Sequence, residues 1–260
     1  MGRSWRDLDR ILRGEATHPS VLGRGTIDLP VGGLSLTLIV LGMVYGACMG
    51  SFALFKTGGP SYWQLVASTI KVPLLFVLTL VVTLPSLYVF NALVGSRLAP
   101  GAVFRLLVAA LAVIMAVLAS WGPIVALFSI STHSYPFMLL ANVVVFAISG
   151  TLGLSFLLQT LHRLSVAPRT SAEIVHVTEH PEKDGGTTTG ALDPMEGQVL
   201  GRHVKTVFRC WMILFGLVGA QMGWVLRPFL GSPNVPFTWF RGRDSNFFQA
   251  VLNALSGLLS

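Results

Sequence analysis

Long unbroken apolar runs, separated by short polar clusters, dominate the pattern of this chain. From Leu29 to Thr160 the text is almost wholly apolar, interrupted near KTGGP, GSRLAP and STHSYP. Each run reaches the roughly 20 residues that a helix needs to cross a ~30 Å hydrocarbon core. The runs do not alternate in polarity, so they predict helices and not a β-barrel. Gly, Pro and polar breakers divide them into five predicted spans, about 33–56, 72–95, 104–130, 137–161 and 206–226.

Shorter segments carry a one-sided apolar stripe. From Ser4 to Glu15, Trp5, Leu8, Ile11 and Leu12 share one side and arginines the other, with Ser4-x-x-Asp7 resembling a capping box. This predicts an amphipathic helix on the cytoplasmic leaflet, where its arginines meet anionic lipid. Between Pro60 and Ile70, SYWQLVASTI predicts a separate short interfacial helix, with Pro73 opening the second span. Near the C-terminus, Phe247, Phe248, Val251, Leu252, Leu255 and Leu259 form a stripe opposite Asn246, Gln249, Asn253 and Ser256. That helix is expected to bury its stripe in the outer interface or against another subunit.

The predicted fold class is all-α: a polytopic transmembrane bundle of about five spans, with interfacial amphipathic helices at both termini. Its divisions are a cytoplasmic N-terminal segment 1–28, a four-span bundle 29–165 and a polar cytoplasmic linker 166–204 containing GGTTTG. A fifth span, 205–227, and an extracytoplasmic tail, 228–260, complete it.

Composition supports immersion in lipid. Charged residues make up 11% of the chain and mean hydropathy is +0.70, against about 25% charged in soluble domains. The net charge of +7 comes without a basic stripe interleaved with aromatics, so it implies membrane topology and not a nucleic-acid partner. A cytoplasmic N-terminus places all the Lys and Arg residues inside except Lys56, Lys71, Arg227, Arg241 and Arg243. This is the bias expected of a multi-pass inner-membrane protein whose C-terminus is periplasmic or extracellular. A sixth crossing by the tail is the rival topology. The charged start predicts no removable signal peptide, and Arg6 stands where N-myristoylation needs Ser or Thr. Cys48 and Cys210, both in apolar blocks, imply neither a disulfide framework nor a zinc site.

Glycines mark candidate packing faces. Gly42, Gly46 and Gly50 fall at spacing four in the first span, and Gly216, Gly219 and Gly223 form a similar face in the fifth. Small residues let helices approach to backbone contact, so the two spans are expected to pack against each other or a partner. Pro73, Pro85 and Pro123 predict kinks, as structural helices and transporters both have.

Carboxylates are absent from the membrane text: no Asp or Glu lies between Asp28 and Glu173, or in the fifth span. Proton relays, cation-coupled carriers and cation channels rely on such groups. Lys71, Arg105 and Arg209 are expected to reach the interface by snorkelling. Asn91, Asn142, Gln159 and Gln221 are expected to join helices. His176-Val-Thr-Glu179-His180 matches the inverted zinc-protease pattern, but it is rich in β-branched residues, is stopped by Pro181 and has no evident third ligand. His133 and His162 have no acid nearby to complete a Ser-His-Asp set. No catalytic, cofactor or metal site is therefore predicted.

At the end of the fifth span, Trp224 and Arg227 suit the headgroup layer and Pro228 stops the helix. With Trp5, Trp239, Arg241, Arg243, Phe247 and Phe248, Arg227 forms the predicted surface for partner or lipid contact. A local pair of arginine with Asp244 is also expected.

The runs IKVPLLFVLTLVVTLPSLYVFNALVGS, ASWGPIVALF, THSYPFMLLANVVVFAISG and GAQMGWVLRPFLGSPNVPFTWFRGRDSNFF are similar to an uncharacterised bacterial family of polytopic membrane proteins with a C-terminal LRPF-G-P motif. The first four spans resemble, more weakly, the YIP-type proteins that interact with Rab GTPases. That resemblance implies a compact five-helix bundle with an amphipathic cytoplasmic N-terminus; the long linker and outer tail depart from it. Neither resemblance implies catalytic residues. The leading expectation is a non-enzymatic scaffold or accessory subunit in contact with other membrane proteins and lipids. The alternative is a small-solute or lipid transporter that does not work through membrane carboxylates.

Overall fold

The computed structural model describes residues 2–13, 31–55, 60–93, 100–178, 193–231, 237–240 and 246–259. These form α1 (Gly2–Leu12), α2 (Val31–Gly50), α3 (Phe52–Phe55), α4 (Tyr62–Leu93), α5 (Pro100–Ser131), α6 (Tyr135–Thr178), α7 (Asp193–Val225) and α8 (Phe247–Leu259). No strand occurs among the described residues, so the fold is all-α. Four segments are long and apolar enough to cross a membrane: Val31–Phe55, Tyr62–Ser86, Phe104–Ser131 and Tyr135–Thr160. Arg209–Val225 and Phe247–Leu258 are apolar but shorter.

Local chemistry sets several boundaries. Ser134 Oγ accepts from the Phe137 amide at 3.4 Å at the start of α6, and Asn246 Oδ1 accepts from the Gln249 amide at 2.9 Å at the start of α8. Both serve as N-caps, satisfying amides that the first helical turn leaves without backbone partners. Pro73 and Pro85 lie inside α4 and Pro123 inside α5, and none of the three ends its helix.

Side-chain pairings give the helix directions. Gly42, Gly46 and Gly50 of α2 meet Pro73, Ser68–Thr69 and Leu65 of α4, an antiparallel match. Gly42 also faces Met115 of α5, and Gly122 faces Cys48, so α2 and α5 run parallel. On the other side of α4, Thr83 accepts from the Trp211 indole at 3.4 Å, Thr79 faces Gly219 and Leu75 faces Gly223. Hence α7 also runs antiparallel to α4. Helices α2, α4, α5, α6 and α7 thus alternate in direction, as successive crossings must. α2 finishes and α4 begins at one end of the bundle, the distal end.

Helix α2 packs on α4 and α5, α5 on α6, α4 on α7, and α6 on α7 and α8. The bundle is therefore a ring, with α8 laid against its α6–α7 side. Inside, Leu34, Leu38, Tyr45, Leu106, Ile114, Met115, Leu118 and Trp211 are buried. Outside, Ile39, Val44, Val81, Val82, Leu127, Ile130, Val144 and Ile213 are exposed. Apolar residues clad both core and periphery, an arrangement stable in hydrocarbon and a liability in water.

Two expectations need correction. The segment 60–70 is not a separate interfacial helix; it forms the first turns of α4, because α2 offers its glycine face at Leu65–Thr69 and Pro73 does not break the helix. The glycines of the first and fifth spans do not meet each other, since α4 lies between them. The polar stretch 166–204 contributes the end of α6 and the start of α7, while 179–192 lies outside the described residues. At the N-terminus, Leu8 and Ile11 of the predicted stripe dock into the core against α2 and α5, whereas Trp5 and Leu12 face outward.

Candidate functional site

Two features meet at the distal end: a buried polar latch and a large apolar cavity. The latch lies on one face of α4, where Gln64, Ser68 and Lys71 follow helical spacing. Gln64 Nε2 donates to the carbonyls of Pro228 at 3.0 Å and Phe229 at 2.8 Å. Ser68 Oγ contacts the Phe229 carbonyl and that of Gln64. Lys71 Nζ donates to Pro228 at 3.3 Å and to the Trp239 carbonyl, and stands 5.1 Å from the centre of the Phe240 ring. These donors hold the chain that leaves α7. Irregular backbone carries carbonyls that lipid cannot satisfy, so donors on a neighbouring helix must do so. Gly231 belongs to the same joint: its φ is +72°, and a Cβ there would sit 2.9 Å from Gln64 Cγ.

Lys71 corrects an expectation. It does not snorkel; its side chain is 2% exposed and its charge is spent on carbonyls and a ring face. Merging 62–70 into α4 puts Lys71 in a helix interior, and the returning tail supplies its acceptors. The positive charge is stabilised by oriented dipoles and no carboxylate is needed.

The cavity has a volume of about 780 Å³ and lies between α4, α6, α7 and α8. Phe76 and Phe146 stack at 5.8 Å, Tyr45 meets Phe146 edge-on at 5.5 Å, and Leu154 and Phe215 line the deeper end. Thr79, Asn142, Thr151 and Asn253 are among its few polar side chains. Asn142 Oδ1 accepts from the Tyr45 hydroxyl at 2.7 Å and its Nδ2 donates to Met138 at 2.8 Å, so it joins α2 to α6. Arg227 is the one formally charged side chain among the described residues of the lining. It sits at the distal end, its guanidinium 3.8 Å from the centre of the Trp224 ring.

The predicted contact residues separate into groups. Gly216, Gly219, Gly223, Arg227 and Phe247 line the cavity. Gly42, Gly46 and Gly50 lie in the α2–α4 seam. Trp5, Trp239 and Phe248 are exposed at the surface, while Arg241, Arg243 and Asp244 lie outside the described residues. Of the other polar candidates, Gln159 is exposed and Gln221 half-buried. Glu179 and His180 are outside the described residues, and no group of three or more His, Cys, Asp or Glu able to hold a metal occurs among the described ones.

Sequence reasoning missed Gln64, Ser68 and Gly153. A Cβ on Gly153 would overlap Ile114, making it the tight point of the α5–α6 contact. The signal for the α4 pair was their spacing with Lys71, a polar row at 64, 68 and 71 inside an apolar helix. No family model, curated protein or solved structure matches the chain, so its chemistry is read from these residues alone.

Proposed function

We propose that this chain is a non-enzymatic integral membrane protein that takes a lipid-like molecule out of the bilayer and holds it inside its helix bundle, as a lipid carrier or lipid-dependent subunit does. The observation that supports the reading is the apolar cavity of about 780 Å³. Cavities of roughly 300–1,000 Å³ with mostly apolar walls and a few placed polar groups are the usual form of small-molecule sites. Along α7 the lining runs from Phe215 to Trp224, a rise of roughly 14 Å at 1.5 Å per residue. That is nearly half of a ~30 Å hydrocarbon core, about the depth an acyl chain occupies in one leaflet. Apolar walls, with no Asp or Glu among the described lining residues, argue against a path for hydrated cations.

The test is native mass spectrometry of the chain purified in mild detergent, with titration of a spin-labelled single-chain lipid into the delipidated protein. One chain per protein is expected, with Gly219→Leu reducing binding by filling the cavity. Absence of saturable binding to the wild type would sink the reading.

A second reading, a scaffold or accessory subunit, draws on one observation. The outward face of α8 presents Phe248, Leu252, Leu255 and Leu258, all exposed. Under that reading Leu252→Glu changes the size of the native complex; under the first it leaves the size unaltered.

A further inference from the structure

The exposed part of the cavity wall defines a route of entry. We infer that the cavity is loaded sideways from the bilayer, through a window between α6 and α7, and that what passes is an uncharged hydrocarbon chain. The inference rests on the reading above that a lipid-like molecule occupies this space.

Three observations carry it. First, the cavity is open on part of its surface, and exposure locates the opening. Among the described lining residues, those exposed are Ala147 and Thr151 of α6, Gly216 of α7 and Asn253 of α8. Three of these four lie on the flanks where α6 and α7 face each other. Second, nothing fills the gap between those flanks. A Cβ added to Gly150 or to Gly216 would meet no atom within 4 Å. Third, the window has a frame. Away from the distal end, Leu154 and Leu157 of α6 close with Trp211 and Phe215 of α7 around a void of about 10 Å³, too small for a chain. Toward the distal end, α8 sets Phe247, Ala250 and Ala254 in the cavity wall, and a Cβ on its Gly257 would lie 3.9 Å from Pro136 of α6.

The chemistry of the window selects what passes. Ala147, Gly150 and Gly216 carry no polar side chain, and the Thr151 hydroxyl donates to the Ile148 carbonyl of its own helix at 2.8 Å. Beside the window, Ile148, Leu152, Ile213 and Leu217 are exposed and apolar. Ala147 and Thr151 fall near the middle of the Tyr135–Thr160 span, at the depth where a bilayer is hydrocarbon and acyl tails end. A charged headgroup crossing there would lose its hydration without replacement. A methylene chain merely exchanges one hydrocarbon surrounding for another, so the tail enters and any charged headgroup stays in the leaflet.

The test is photolabelling of the full chain in nanodiscs of phosphatidylcholine, with adducts mapped by peptide mass spectrometry. Three diazirine probes are compared: phosphatidylcholine labelled at the end of an acyl tail, the same lipid labelled on its choline, and hexadecanol labelled at its terminal carbon. The tail probe, the alcohol or both are expected to modify Phe76, an interior lining residue on α4. Whichever does so identifies the source, the tail of a bilayer lipid or a free neutral chain. The choline probe should leave Phe76 untouched. Obstructing the window by Gly216→Trp on α7, or independently by Thr151→Trp on α6, should slow the labelling of Phe76 about tenfold, as a barrier raised by about 1.4 kcal/mol would. Asn253→Trp, at the other exposed lining position, should leave the rate unchanged. A melting temperature near that of the wild type shows each variant to be folded. Undiminished labelling in both window variants, or a loss confined to Asn253→Trp, overturns the lateral route and leaves the cavity reading standing. Modification of Phe76 by the choline probe overturns the restriction to uncharged chains. No interior labelling by any probe, as a second copy's helix seated in the window would give, overturns both readings.

Discussion

Two glycine faces, nearly the same in sequence, end in opposite circumstances. In α2, Gly42, Gly46 and Gly50 press into α4 so closely that a Cβ on Gly46 would lie 2.6 Å from the Ser68 carbonyl oxygen and 2.8 Å from Thr69 Cα. In α7, a Cβ on Gly219 would meet Thr79 at 3.6 Å, one on Gly223 would meet Leu75 at 3.4 Å, and one on Gly216 would meet nothing within 4 Å. The first face closes a seam; the second opens a chamber. Small residues permit close approach without compelling it, and what decides is whether the facing helix is small too. Ser68 and Thr69 admit α2, whereas α7 faces Thr79 and Leu75 on one side and the aromatic rings of α6 across the cavity.

The largest effect should come from the closed seam. Gly46→Ala is expected to cost about 1–3 kcal/mol and Gly46→Leu more, because the obstructing atoms are backbone; fluorescence-detected thermal unfolding in detergent would register it. A melt unchanged in Gly46→Leu would break the comparison. Next comes the joint that closes α4 against the tail. Lys71→Met leaves the Trp239 carbonyl without its donor, an expected loss of about 1–3 kcal/mol, with faster amide exchange in 226–231 and 237–240 than elsewhere. Third, Tyr45→Phe removes the hydrogen bond to Asn142, for which membrane helix pairs suggest about 0.6–2 kcal/mol. A double-mutant cycle with Asn142→Leu isolates that value. The smallest effect belongs to the open face: Gly216→Ala should alter stability by less than about 0.5 kcal/mol, and a large loss there would show that the chamber closes in lipid.

Much of the helical frame was legible from the sequence because it follows from length and hydropathy, both local quantities. Three of the four long spans lie where the apolar runs place them, while the second begins at Tyr62, well before its predicted start, and Asn142 joins helices as a polar residue in a greasy segment is expected to. Lys71 was misread because its partners lie more than 150 positions away in sequence, on a tail whose path depends on tertiary contacts. Pro73 looked like a starting point, since its fixed φ suits a first turn, yet α2 packing carries the helix through it. The cavity was illegible for a different reason. It is a volume where contacts are missing between α4, α6, α7 and α8, and residue types announce contacts better than gaps.

The latch on α4 also bears on the order of events during biosynthesis. Ribosomes make Gln64, Ser68 and Lys71 long before Pro228, so the docking groove can be assembled and waiting when the tail emerges. A chain stopped at Val225 should therefore insert and keep its α2–α4 seam, but present the bare ammonium of Lys71 at the bundle surface, where amine-selective labelling would find it.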